Sequence, residues 1–187
     1  HPGQDGNDGR RPRNGRFGVG SASQGDEEAR WSGRRSRKAI HGYKAHVGAD
    51  ADTALVEKLA VTPGKTHDGR NGYSAAPDDP GYVYADSGYR GEVFGKAVRA
   101  RGGTPLVVAT HVWAQSQVEA DRRLAEWNGP IHEIRCRIEK IFGTWKRSYG
   151  FRRMRWRGIA KASLQARLTA IAYNLKYPHA EKVAAAA

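Results

Sequence analysis

A chain of 187 residues with 39% hydrophobic content suits one domain of ordinary size, long enough to bury a core and too short for two. Its formal net charge of +13 exceeds what solubility needs and points to a polyanionic partner such as nucleic acid, although a ribosomal-type or membrane-surface protein would share that charge. No apolar run approaches the roughly 20 residues that span a bilayer and no signal peptide opens the chain, so a soluble, cytoplasmic protein is expected; Cys136, the single cysteine, excludes an internal disulfide and makes no zinc cluster alone. The first residue is His1 and the only methionine is Met154, which reads as a fragment or a truncated frame.

Residues 1–36 are rich in Gly, Arg, Asp and Ser and offer little to bury, so a flexible linker is expected there. From Ile40 the pattern becomes period two: Tyr43, Ala45 and Val47 alternate with Lys44 and His46, the mark of a half-buried strand. Asp50 to Thr53 supplies a turn, and Leu55 to Thr62 reads as the returning antiparallel strand. A polar loop runs through His67 and Asp68 to Pro80, with room for one short helix. The apolar run Tyr82 to Ala85 stops at Asp86. After Ser87-Gly88 a helix carries Val93, Phe94, Ala97 and Val98, and Gly102-Gly103 closes it before the apolar strand Thr104 to Ala109. Strand, helix, strand predicts a parallel pair with a crossover, and ligands collect beyond the carboxyl ends of such strands, where Asp86 lies.

His111 to Asn128 reads as a polar helix, and Gly129-Pro130 as the start of the next. In that next helix Ile131, Ile134, Ile138, Phe142 and Trp145 form one apolar stripe, and Arg135, Glu139 and Lys146 fall within an arc of roughly 40° to one side of it. Arg147, Arg152, Arg153, Arg155 and Arg157 follow, interleaved with Tyr149, Phe151 and Trp156. Ala160 to Lys176, with Leu164, Leu168, Ile171 and Leu175, predicts a final amphipathic helix that Pro178 ends.

An Asp at a strand end and a Glu on a later helix, both near strong positive potential, have the chemistry of a site for hard divalent cations that shares its remaining positions with substrate phosphate. The bland alternatives are concrete. Arg135 and Glu139 can form a helix-surface ion pair, the aromatic residues can be core, and isolated acids are more often surface groups. His41, His46 and His67 have no zinc spacing.

The motifs HGYKAHVGADADTALVEKLAVTPGKTHD, YVYADSGYRG and RCRIEKIFGTWKRSYGFRRMRWRG, in this order and spacing, resemble the DDE transposases of bacterial insertion sequences, families four and five, over residues 29–177. The resemblance implies an α/β, RNase H-like mixed sheet flanked by helices. It also implies hydrolysis of a DNA phosphodiester at transposon ends, followed by strand transfer into target DNA. On this sequence Asp86 and Glu139 become catalytic ligands of Mg²⁺ or Mn²⁺. Arg135 and Lys146 become DNA contacts, joined by Arg147, Arg152, Arg153, Arg155 and Arg157. Double-stranded DNA is the implied partner, in a nucleoid-associated bacterial protein that is compatible with a homodimer. The expected organisation is a linker over residues 1–36, a partial catalytic domain over 37–178 and a tail over 179–187.

Two departures stand out. The family signature often has Tyr where His132 stands, and the strand that should end in the first catalytic Asp, upstream of GYKAH, is missing. Asp5, Asp8 and Asp26 lack its apolar context. The chain alone is therefore expected to be catalytically incomplete. The alternative function is a noncatalytic basic DNA-binding remnant of a decayed transposase.

Overall fold

The computed structural model describes residues 26–34 and 37–185. Five strands and four helices build a mixed α/β structure: β1 (Arg30–Arg34), β2 (Arg37–Ala49), β3 (Val56–Pro63), α1 (Asp68–Asn71), β4 (Tyr82–Ala85), α2 (Glu92–Arg99), β5 (Thr104–Val107), α3 (Gln117–Ser148) and α4 (Ile159–Ala185). The expected hairpin forms. β2 and β3 pair antiparallel from Tyr43 opposite Pro63 to Ala49 opposite Val56, and the Asp50 carboxylate closes the turn by accepting from the amides of Asp52 and Thr53. The expected parallel pair forms as well, with β4 and β5 in register from Tyr82 opposite Thr104 to Ala85 opposite Val107. Strands β1 to β3 form one sheet, β4 and β5 a second, and no strand among the described residues bridges them.

Period two explains how the first sheet is clothed. Val47, Ala49 and Leu59 face one way and join Val56, Ile141, Trp145, Ala170 and Tyr173 in the main core, between the sheet and helices α3 and α4. Lys44, His46 and Gly48 face the other way, toward the segment 66–76 and the turn after β4. A smaller core of Ala85, Phe94 and Val98 seals α2 against the parallel pair.

Four expectations are corrected. Residues 30–34 lie in a strand rather than a linker: β1 pairs antiparallel with residues 37–42 of β2, the Trp31 and His41 rings lie 5.1 Å apart, and Ala29 is buried. The pairing supplies what local composition lacks. Residues 1–25 and the aspartates Asp5 and Asp8 lie outside the described residues.

Gly129-Pro130 starts no helix, because α3 runs unbroken through both. Pro130 forfeits one helical hydrogen bond, but the turn just before it is fastened to the end of β5. There the Asn128 amide accepts from Ala109 N at 2.8 Å and donates to Ala109 O at 2.9 Å, while Trp127 Nε1 donates to Val107 O at 3.0 Å. Gly150, with φ of 68°, then ends α3, and the amides of Tyr149 and Phe151 both donate to Trp145 O at 3.1 Å.

The face of α4 is also not the one its leucines suggest. Leu164, Leu168, Ile171 and Leu175 are exposed, whereas Ala162, Ala166, Ala170 and Tyr173 are buried. A row of small side chains lets the helix approach the sheet more closely than a leucine stripe allows. Finally, the expected tail is not separate, since α4 continues through Pro178 to Ala185.

Close approach of α4 is secured by Asn174. Its side-chain oxygen accepts from Val56 N at 2.9 Å and its amide nitrogen donates to Val56 O at 2.8 Å, a two-point clamp on the first residue of β3. Asn174→Ala leaves both backbone groups without partners and is expected to cost about 1–3 kcal/mol in urea denaturation. A change within experimental error would show that water replaces the clamp freely.

The start of α4 explains Asp26. Asp26 Oδ2 accepts from Gly158 N at 3.3 Å and Glu28 Oε2 from Ile159 N at 2.9 Å, so two acids meet the positive end of the helix. The Tyr43 hydroxyl donates to Asp26 Oδ1 at 2.7 Å. Burial acts to raise the Asp26 pKa, but the bonds from Tyr43 and the Gly158, Glu28 and Ala29 amides outweigh it and hold the group below its ordinary value of 3.8. Asp26 therefore caps a helix.

Candidate active site

Asp86 is the first residue beyond β4, and its side chain shapes the turn that follows. Asp86 Oδ1 accepts from Ser87 N at 2.6 Å and from the Ser87 hydroxyl at 3.2 Å, capping a single 3₁₀ turn over Ser87–Tyr89. The other oxygen, Oδ2, faces a guanidinium nitrogen of Arg135 at 3.7 Å. Arg135 keeps only 16% of its side chain exposed, against 45% for Asp86, so the pair is a partly sheltered contact between α3 and the end of β4. Glu139 follows one turn later on the same continuous helix, about 6 Å along the axis. Its carboxylate is exposed.

Asp86 also lines a cavity of about 630 Å³, with Trp31, Lys44, His67 and Asp68 among its walls. Lys44 Nζ spans that wall, bonding Asp68 Oδ1 at 3.0 Å and Thr66 O at 2.9 Å. His67 Nδ1 accepts from Gly69 N at 3.2 Å and so caps α1. Under the turn, the Tyr89 hydroxyl meets His46 Nδ1 at 3.0 Å. Burial, followed by the charges of Asp68 and Asp86, pushes the Tyr89 hydroxyl up to about 12, so it stays protonated at neutral pH.

The family comparison covers all of these segments: the transposase DDE domain aligns with residues 5–175. The chain belongs to the transposase DDE domain family. Among curated proteins it is 28% identical over 166 residues to the transposase for insertion sequence element IS1106 of Neisseria meningitidis serogroup B, covering 80% of this chain and 51% of that protein. The chain thus spans about half the length of the curated relative it matches. No solved structure matches it.

Membership of a DDE family makes the acids worth testing as a cation site. Among the described residues, no group of three or more His, Cys, Asp and Glu side chains is placed to hold a metal ion. Asp86 has one oxygen engaged by Ser87 and the other turned to Arg135. Asp26 sits on the opposite face of β2, since it bonds Tyr43 whereas Lys44 borders the Asp86 cavity. The described residues therefore do not make up a complete site for a divalent cation.

The remaining DNA-contact candidates lie on the last turn of α3 and the loop that follows it. Lys146 and Arg147 are exposed near the end of α3, with Lys146 Nζ 6.0 Å from the Phe142 ring centre. Arg152, Arg153, Arg155 and Arg157 are exposed on the loop between α3 and α4. That loop is held from beneath by the buried Gln165, which donates to Arg153 O and accepts from Arg155 N, both at 3.0 Å. The packing question about the aromatics divides. Phe151 stacks edge-on against Trp145 at 5.1 Å, and Trp156 is exposed among the arginines.

Sequence reasoning assigned no role to Lys44, His46, Asp68 or Tyr89, which the fold brings around Asp86. A signal for half of them was present. The period-two pattern of β2 puts Lys44 and His46 on the face opposite Tyr43, Ala45 and Val47, and two polar residues on one face of a central strand need partners.

Proposed function

We propose that this chain is the DNA-processing part of a DNA transposase, with Asp86 and Glu139 as two of its catalytic carboxylates. The observation that carries this reading is the contact of Arg135 with Asp86 at 3.7 Å, which brings the helix bearing Glu139 to the carboxyl end of β4. In the whole protein the activity would be hydrolysis of a phosphodiester at transposon ends and transfer of the freed 3′ end to target DNA. Mg²⁺ or Mn²⁺ would be the cofactor and double-stranded DNA the partner. The fold would be RNase H-like, the two sheets being the two sides of one sheet. In support, among the described residues the second half of β2 pairs only with β3, and β4 pairs only with β5. A bridging strand ending in the first carboxylate is not among the described residues. The chain alone is accordingly expected to bind DNA without cutting it.

The basic loop between α3 and α4, with Lys146 and Arg147, would hold the phosphate backbone. Binding of the whole chain to a duplex should weaken steeply with salt. Replacing Arg152, Arg153, Arg155 or Arg157 singly by Gln should reduce the slope of log K against log salt by about 0.9 for each phosphate that the variant no longer neutralises. Unchanged slopes in all four variants would remove this loop from the interface. Incubating the chain with a transposon-end duplex and Mg²⁺ or Mn²⁺ tests the other half. Cleavage at a rate comparable to a full-length relative would show that the acids present suffice.

A second reading, a noncatalytic basic DNA-binding remnant, is favoured because no three His, Cys, Asp or Glu side chains among the described residues are grouped to hold a metal ion. Supplying the preceding segment of a full-length relative distinguishes them. Restored cleavage that Asp86→Asn and Glu139→Gln abolish supports the transposase reading. Binding without cleavage supports the remnant.

A further inference from the structure

Beneath Asp86 runs a partly buried polar chain, centred on His46, that links the two sheets. His46 is 2% exposed at the middle of β2. Its Nε2 meets the Thr62 hydroxyl of β3 at 3.0 Å, and its Nδ1 meets the Tyr89 hydroxyl at 3.0 Å. The Tyr89 ring lies edge-on to His46 at 6.1 Å, packs on Phe94 at 5.3 Å, and is pressed so close to Gly72 that a methyl group there would fall 1.9 Å from its Cε1. Tyr89 and Asp86 are the two ends of one 3₁₀ turn, joined by the bond from Tyr89 N to Asp86 O at 2.9 Å. The sheet of β1 to β3 and the pair β4 and β5 share no strand ladder among the described residues. The central strand of one sheet thus reaches the acid-bearing turn of the other through His46 and Tyr89.

We propose that His46 is a positioning residue that fixes Asp86 relative to the first sheet by way of the Tyr89 hydroxyl. A buried ring that bonds at both nitrogens has one orientation, so the tyrosine oxygen has one place to sit. Gly72 and Phe94 confine the ring itself. The turn over Ser87–Tyr89 can then swing only if the bond to His46 opens, and with it the direction of the Asp86 carboxylate.

Protonation favours opening it, because a charged imidazole buried here gains by reaching water. Burial holds the His46 pKa below its ordinary value of 6.5, opposed by the negative charge of Asp68 and assisted by the positive charge of Lys44. The Tyr89 hydroxyl is the third titratable group facing it, and it stays protonated at neutral pH. A group whose folded pKa is lowered contributes its full stability above pH 6.5 and loses it as pH falls toward the folded value. Acid should therefore loosen the turn that carries Asp86 before it loosens α4.

This inference rests on the reading of Asp86 as a functional carboxylate, but its test reads the turn and not the chemistry. Amide hydrogen exchange on the whole chain compares wild type with Tyr89→Phe, which removes one oxygen and keeps the ring. Exchange at Ser87 to Arg90 is expected to rise about tenfold while α4 amides stay unchanged. Between pH 7.5 and 5.5, after correction for intrinsic rates, wild type should show the same local rise, and His46→Gln should lose that pH dependence. A uniform rise over the whole chain, or no change in the turn, overturns the positioning role and leaves the assignment of Asp86 standing. Local loosening in a full-length protein that still cleaves after Asp86→Asn would instead sink the catalytic role of Asp86 and keep the coupling.

Discussion

Trp145→Ala is expected to lower the unfolding free energy by about 3–5 kcal/mol, the range for deleting a buried aromatic side chain. Trp145 is 0% exposed. It sits where α3 meets the hairpin and α4, ringed by Phe142 at 5.6 Å and Phe151 at 5.1 Å, both edge-on. Its indole N–H is buried with no acceptor among the described residues, so the side chain contributes volume rather than a hydrogen bond. Trp145→Phe should accordingly cost much less than Trp145→Ala, because it keeps most of the volume and removes an unsatisfied donor. Chemical denaturation of both variants checks the pair. Equal losses would mean that the indole nitrogen has a partner after all. A large loss also bears on the site: Trp145 holds down the helix that carries Arg135 and Glu139, and a domain with about 5–15 kcal/mol in total has little to spare.

Gly48→Ala should be the second severe change, lowering stability by about 1–3 kcal/mol or more through overpacking. A methyl group on Gly48 would lie 2.1 Å from the carbonyl oxygen of Ala75. The obstacle is backbone, so no rotamer change relieves it. The 3₁₀ turn Gly72–Ala75 must then back away from β2, and Gly72 of that turn is what Tyr89 rests against. Gly81→Ala is the matched control, with nothing within 4 Å of the added atom, and should fall within about 0.5 kcal/mol of wild type. Thermal unfolding of the two variants, side by side, gives the comparison. Similar midpoints would show that the segment 72–76 is not docked on the sheet.

What local pattern can report, it reported well. The β2–β3 hairpin, the parallel β4–β5 pair joined by α2, and the stripe of Ile138, Phe142 and Trp145 on α3 were all legible, because each rests on side-chain periodicity within one segment or on turn chemistry between neighbours. Asp86 at a strand end and the shared face of Arg135, Glu139 and Lys146 were legible for the same reason, together with the motif order that marks the family.

Long-range contacts decided the rest. Pro130 reads locally as a helix start, but Asn128 and Trp127 tie the preceding turn to β5 and carry the helix through. The leucines of α4 read as a core face, but the alanine row wins because the distance between helix and sheet, which no single segment encodes, favours small side chains. Arg30–Arg34 has no strand signal of its own and becomes a strand only by pairing with β2. Around Asp86, residues from β2, β3, α1 and the turn after β4 converge although as many as 43 positions separate the bonded pair His46 and Tyr89. Pattern within single segments specified the β2–β3 hairpin, the unit from β4 through α2 to β5, and the acid at the end of β4. Only the tertiary structure decided what surrounds Asp86, because hydrogen bonds and ion pairs across elements depend on how the chain returns to itself.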